Sequence, residues 1–323
     1  MRLRARVSLL VLAAAMLVGQ GLVTSASTPA GSPPSSAAGP KIRVLILDGF
    51  SNHNWRLNTK LLRGLLEPTN HFDVSVSTCP TLSDPHWKDW HPDFSKTDVI
   101  LQTCNDISQN PAPRWPDPVK MDFVNFVKAG GGAFIYHSAN NAFPDWPEYN
   151  DIIGIGWRKK SYGTAMQMDA QGTITKLPPG QGDDTGHANR GEVLVHNLGN
   201  HPIHDGFPQT WKSPALEVYY DARGPADNLT ILSYGQDPRG KQFWPLEWTV
   251  TYGQGRVYSS SFGHVWSDES ETKQPVDLLA VDEQTLIGRA LQWLAKRPIT
   301  IPVPANFPTA EKTSLSPNIA LPK

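Results

Sequence analysis

The chain has 323 residues and carries 29 Lys+Arg against 30 Asp+Glu, a formal net charge of −1 at pH 7. The cations are scattered, which excludes a nucleic-acid or anionic-membrane footprint and leaves a small uncharged molecule as the expected partner. Eleven tryptophans are many for this length, and Trp faces suit sugar rings as well as core and rim.

Residues 1–26 open on Arg2, Arg4 and Arg6, run apolar over 7–18 and end in Thr24, Ser25 and Ala26. This is the pattern of a Sec-type signal peptide cut after Ala26, so a secreted or periplasmic protein is expected. Residues 27–40, rich in Ser, Pro and Ala, read as a disordered leader. No later apolar run is long enough to span a bilayer. Residues 41–297 are then expected to form one domain, and the Pro-rich residues 298–323 a tail that wraps or frays.

Residues 42–47 make an apolar strand, and the helix behind it places Leu57, Leu61, Leu62, Leu65 and Leu66 on one face. Residues 72–76 and 99–102 read as the next strands. Asp117 and Pro118 start a second helix with Val119, Phe123, Phe126 and Val127 as its buried stripe, ended by Gly130. A strand over 133–136 follows directly. Residues 151–191 have little pattern and read as long loops or a small insertion over the functional edge. Strands are expected at 193–195, 216–220, 229–233 and 256–260, and a last helix capped by Asp282. Alternating strands and amphipathic helices predict an α/β fold with a doubly wound, mostly parallel sheet and helices on both faces. Cys79 and Cys104 both follow strands in a chain addressed to an oxidising compartment, so a disulfide is expected. The condition is geometric: if their strands flank the first strand, the loops must bring the thiols together.

Several segments, in order, carry a resemblance. They are Val44-Leu-Ile-Leu-Asp-Gly with His53 behind it, Phe126-Val-Lys-Ala-Gly-Gly-Gly-Ala-Phe-Ile-Tyr-His137-Ser, and His201-Pro-Ile-His-Asp-Gly-Phe-Pro. Glu217-Val-Tyr-Tyr, the stretch from Pro245 to Val257, and Phe262-Gly-His264 continue it. Over residues 41–297 the chain resembles the ThuA-like (trehalose utilisation) family, a branch of the class I glutamine amidotransferase-like, flavodoxin-like folds. The resemblance implies sugar metabolism around trehalose-like disaccharides and their 3-keto derivatives made by a partner dehydrogenase. Amidotransferase relatives carry a cysteine at the strand-to-helix elbow; here Tyr136, His137 and Ser138 stand there, so thiolate chemistry on glutamine is not expected.

His137, His53 and His264 follow strands at the carboxyl edge of the sheet, where such folds bind ligands. With Glu217 they are the candidate catalytic groups, as acids, bases or metal ligands. A possible Zn²⁺ or other divalent ion is implied for the three imidazoles; the spacing holds no H-E-x-x-H, and a metal-free acid/base pair beside a sugar carbonyl fits equally well. Asn140, Asn105, Trp55 and Tyr219 are the candidate sugar contacts. His201 reads as a turn former and His187 as a lid residue. No dinucleotide or Walker loop is present. Two functions follow: an exported enzyme that isomerises or cleaves a 3-keto disaccharide or glycoside, or a non-catalytic carbohydrate-binding or scaffold protein.

Overall fold

The computed structural model describes residues 39–240 and 242–322. The expected signal peptide, and the expected leader up to residue 38, lie outside the described residues. The strands are β1 (Ile42–Asp48), β2 (Phe72–Thr78), β3 (Val99–Gln102), β4 (Gly132–Tyr136), β5 (Thr164–Met168), β6 (Ile174–Leu177), β7 (Gly186–His187), β8 (Gly191–Asn197), β9 (Thr210–Leu216), β10 (Tyr219–Tyr220), β11 (Arg223–Gly224), β12 (Leu229–Gln236), β13 (Phe243–Tyr252) and β14 (Gly255–Ser260). The helices are α1 (Trp55–Leu66), α2 (Asp117–Lys128), α3 (Pro147–Ile153), α4 (Val276–Leu279) and α5 (Val281–Leu294). None of them is long and apolar enough to cross a membrane.

The main sheet runs β2-β1-β3-β4-β14-β13-β12-β8-β9. From β2 to β14 the neighbours are parallel. From β14 to β9 they are antiparallel, so the parallel sheet read from the sequence continues into an antiparallel half. Two apolar clusters cover its two faces. Ile42, Val44, Ile46, Leu101 and Phe134 pack with α1 and α5, while Leu45, Leu47, Ile100, Ala133 and Ile135 pack with α2 and α3. The alternation along β1 and β4 produces both, because successive strand residues point to opposite faces. Gly132 lets β4 run against the end of α5, since a Cβ there would lie 2.8 Å from the Leu294 carbonyl oxygen.

Residues 151–191 are more regular than their sequence indicates. β5 and β6 form an antiparallel pair that joins the main sheet through β13, and β7 pairs with β10. β13 is hard to read because Pro245 interrupts it, and proline is unusual in a central strand. The structure accommodates Pro245 opposite Tyr234, beside a register shift in β12. Asp282 is not the cap of the last helix: α5 starts at Val281, and the buried Asp282 carboxylate accepts from Trp211 Nε1 at 3.1 Å.

Cys79 and Cys104 are both buried and free, so the expected disulfide is not formed. Their strands β2 and β3 lie on opposite sides of β1. Two strand spacings come to about 9.6 Å, beyond the roughly 7 Å over which Cα atoms can be bridged.

The tail wraps. Ile301, Phe307, Ile319 and Leu321 pack against the α1–α5 cluster, and Ser316 N bonds to the Leu279 carbonyl at 2.7 Å. Arg289 in α5 ties tail and turn together, donating to the carbonyls of Ile203 (2.6 Å), Ile301 (2.8 Å), Asp205 (2.9 Å) and Pro202 (3.0 Å). Replacing Arg289 by Met keeps the stem and strips these acceptors of their donor. The expected loss is about 3 kcal/mol, read as a lower urea midpoint at unchanged slope. A loss below about 1 kcal/mol contradicts this role for Arg289.

Candidate active site

The parallel strands end in near alignment: Leu47 pairs with Gln102, Gln102 with Ile135, and Tyr136 with Ser260. The chain leaving each of them therefore emerges at one edge. His53 follows β1, His137 follows β4 and His264 follows β14. Glu217 arrives from the other side, in the break between β9 and β10. A cleft of about 480 Å³ opens there, lined among others by His53, His187, Arg190, Glu217, Tyr219 and His264.

His137 is the first residue of the short turn after β4 and holds a left-handed backbone (φ 45°), as sharp elbows at functional sites do. Gly263 makes room for that elbow: at φ +105° it lies so close to Tyr136 that a Cβ would fall 2.2 Å from the ring. His137 Nδ1 donates to the Ser261 carbonyl at 2.8 Å, which leaves Nε2 bare. That nitrogen lies 3.5 Å from the Tyr219 hydroxyl and 3.9 Å from Glu217 Oε2.

His53 Nδ1 donates to Asn52 Oδ1 at 2.8 Å, and the same oxygen accepts from Asn105 Nδ2 at 2.7 Å. Its Nε2 is bare too. His264 differs, because Arg190 Nη1 donates to its Nδ1 at 2.7 Å. A guanidinium accepts nothing, so the ring proton sits on Nε2, 3.3 Å from Glu217 Oε1. Arg190 is itself held by Asp277 at 3.0 Å and Glu269 at 3.2 Å.

The three rings meet edge to face at centroid distances of 4.9 to 5.3 Å, and their potential ligand atoms all lie within 4.8 Å of one another. Burial keeps all three neutral. It holds His53 down at about 4, helped by His187 and Arg190, and His264 at about 3, helped by His53 and Arg190. His137 is pushed well below its ordinary range by burial and then by His53 and His264. Burial also pushes the Glu217 carboxyl up, against the pull of His187 and Arg190. Neutral rings with a bare Nε2, each backed by an acceptor on Nδ1, are the arrangement in which imidazoles bind metals. His53 and His137 satisfy it as they stand; His264 joins them only by giving up its bond to Arg190.

The sugar-contact candidates divide. Tyr219 lines the cleft. Asn140 does not: its amide is fully buried and donates to the carbonyls of His137 and Ser260, both at 2.9 Å. Its neighbour Asn141 lines the cleft instead. Asn105 acts through Asn52 on His53. Trp55 sits in the first turn of α1 beneath the Arg56 guanidinium, 4.1 Å from its ring centroid, and the aromatic walls are Trp157 and Trp266. His187 reaches the rim, its Nδ1 3.6 Å from Glu217 Oε1, while His201 shapes its own turn by accepting from Ile203 N at 3.3 Å. Arg190 was not legible as a site residue, since its contacts to His264 and Asp277 are 74 and 87 positions away.

Beneath the site, the Tyr136 hydroxyl donates to Glu283 Oε1 at 2.7 Å. Burial pushes this carboxyl to about 8. In the unfolded chain it titrates near 4.3. The folded state thus favours the protonated form, and the stability this gives is full below the unfolded value and lost as pH rises through the folded one. Glu283→Gln should therefore flatten the fall in thermal midpoint between about pH 5 and about pH 9. An unchanged pH slope contradicts the assignment.

The model of the ThuA family, described as trehalose utilisation, matches residues 43–280. A ThuA-like protein of Parabacteroides merdae ATCC 43184 superposes with a TM-score of 0.77 at 28% identity, over 85% of this chain and 97% of that one. A ThuA-like protein of Bacteroides uniformis ATCC 8492 gives a TM-score of 0.51 at 16% identity, over 82% of this chain and 95% of that one, which shows the fold alone. Among curated proteins, no sequence matches the chain.

Proposed function

The chain belongs to the ThuA, or trehalose-utilisation, family; from that premise of a carbohydrate-related role, we propose that it is an exported enzyme moving a proton beside the carbonyl of an oxidised glycoside. The observation that carries this reading is the convergence of three neutral imidazoles, one carboxylate and a tyrosine hydroxyl at one cleft. Glu217 is the base that takes the proton from the carbon next to the ketone. Tyr219, whose hydroxyl burial keeps protonated, donates to the carbonyl oxygen as negative charge develops there. His264, fixed by Arg190 as a donor, orients the Glu217 carboxylate. Removal of that proton begins both isomerisation and elimination of the glycosidic oxygen, so one arrangement serves either outcome.

The residues also fit a divalent cation such as Zn²⁺, held first by His53 and His137. Such an ion would polarise the carbonyl as a Lewis acid. Titration of the protein with Co²⁺ is expected to fill one site with visible absorbance, lost in His53→Ala; absence of uptake removes the metal from the proposal and leaves the acid/base chemistry standing. Export rests on residues 1–26, and a mature N-terminus at Ser27 in the culture medium or periplasm is the expected finding. The enzyme itself is tested with 3-ketotrehalose and its unoxidised parent. Product from the keto sugar alone supports the reading, whereas sugar binding without product at long incubation contradicts it.

A further inference from the structure

The histidine cleft does not end at Tyr219. A second pocket of about 690 Å³ adjoins it, and the two share a wall made of Ile107, Ser108, Asn141 and Trp157. Both volumes fall in the range of small-molecule sites, roughly 300–1,000 Å³. Asn141 stands on the divide. Its side chain is 6% exposed, its amide contacts the Tyr219 hydroxyl, and its Oδ1 has no partner. A buried acceptor left open is costly, and a donor brought by a ligand relieves that cost.

The second pocket's charges indicate what the ligand is. Arg158 spends its guanidinium on Asn150 Oδ1 (2.7 Å) and on the carbonyls of Trp157 (2.8 Å), Ala142 (2.8 Å) and Asn141 (3.0 Å). Lys159 is paired with Asp184 at 3.0 Å. Among the described lining residues, both cations are thus engaged, which disfavours a phosphate or carboxylate ligand. Asp106 and Asp145 add acceptors, and Ser161 and Tyr162 add hydroxyls, while the Thr185 hydroxyl is spent on the Asp221 carbonyl at 2.6 Å. This chemistry suits an uncharged ligand rich in hydroxyl groups.

We propose that this pocket is a second sugar subsite: it takes the unit joined to the ring held in the histidine cleft, with the bridging oxygen beside Asn141 and Trp157. The inference rests on the carbohydrate reading above and adds that the substrate has at least two units. Trehalose and methyl α-D-glucopyranoside, neither carrying a ketone, serve as non-reacting probes in calorimetric titrations of the full chain. Trehalose is expected to bind at least about tenfold more tightly, about 1.4 kcal/mol. Ser161→Trp and Ala112→Trp fill the pocket from exposed positions. Each is expected to bring the preference below about twofold while leaving the affinity for methyl glucoside unchanged. Equal affinity of the wild type for the two probes, or a preference retained in both variants, overturns the subsite alone. Binding of neither probe by the wild type overturns the subsite together with the carbohydrate reading.

Discussion

His137→Ala is expected to lower turnover of a 3-keto glycoside by about three orders of magnitude, in the middle of the range that positioned acid/base groups contribute. The ring is 2% exposed and sits at the centre of the cluster, touching His53, His264 and Tyr219 at centroid distances of 5.0, 5.3 and 5.8 Å. Its removal takes away the bare Nε2 that faces both Glu217 and Tyr219, and with it one of the two imidazoles already arranged for a metal. The main chain is expected to keep its elbow, because the Asn140 amide still holds the His137 carbonyl at 2.9 Å. Circular dichroism should therefore remain that of the wild type while turnover and Co²⁺ uptake fall together. Unaltered turnover in a folded His137→Ala protein contradicts the role given to this residue.

Glu217→Gln is expected to have a comparable effect through a different step. The change is nearly isosteric and keeps an oxygen near His264 Nε2, but the amide cannot take a proton. We expect kcat to fall by about 10²- to 10⁴-fold with little change in KM, the signature of a group used in the transition state and not in binding. Equal losses in binding and turnover would instead show that Glu217 holds the sugar. His53, His137 and His264 are not its ion-pair partners, because burial and the charges around them keep these rings neutral.

How far the sequence reveals this site depends on the kind of interaction. His53, His137 and His264 were legible because each follows a strand whose apolar run is plain, and the parallel strands bring their carboxyl ends to one edge. Glu217 and Tyr219 were legible through the family motif. Asn140 misled because it adjoins the residue that lines the cleft: on the short turn after β4, one position separates an amide spent on backbone carbonyls from one turned to the ligand. Trp55 misled because its position past β1 matches that of His53, yet it begins α1 and packs along the helix under Arg56. Arg190 and Trp157 carry no local signal, since their partners His264, Asp277, His187 and Tyr219 are 30 or more positions away. The antiparallel half of the sheet was likewise hidden, through Pro245 in β13 and the short strands of residues 151–191, whose pairing is set by tertiary packing rather than by period.

Proton exchange in heavy water tests the central claim most directly. The protein is mixed with 3-ketotrehalose in deuterium oxide, and the carbon-bound protons beside the ketone are followed by NMR. The account predicts enzyme-dependent deuterium incorporation at one of those carbons, abolished by Glu217→Gln while the sugar still binds. Bound 3-ketotrehalose that exchanges no faster than the sugar in buffer alone would contradict it.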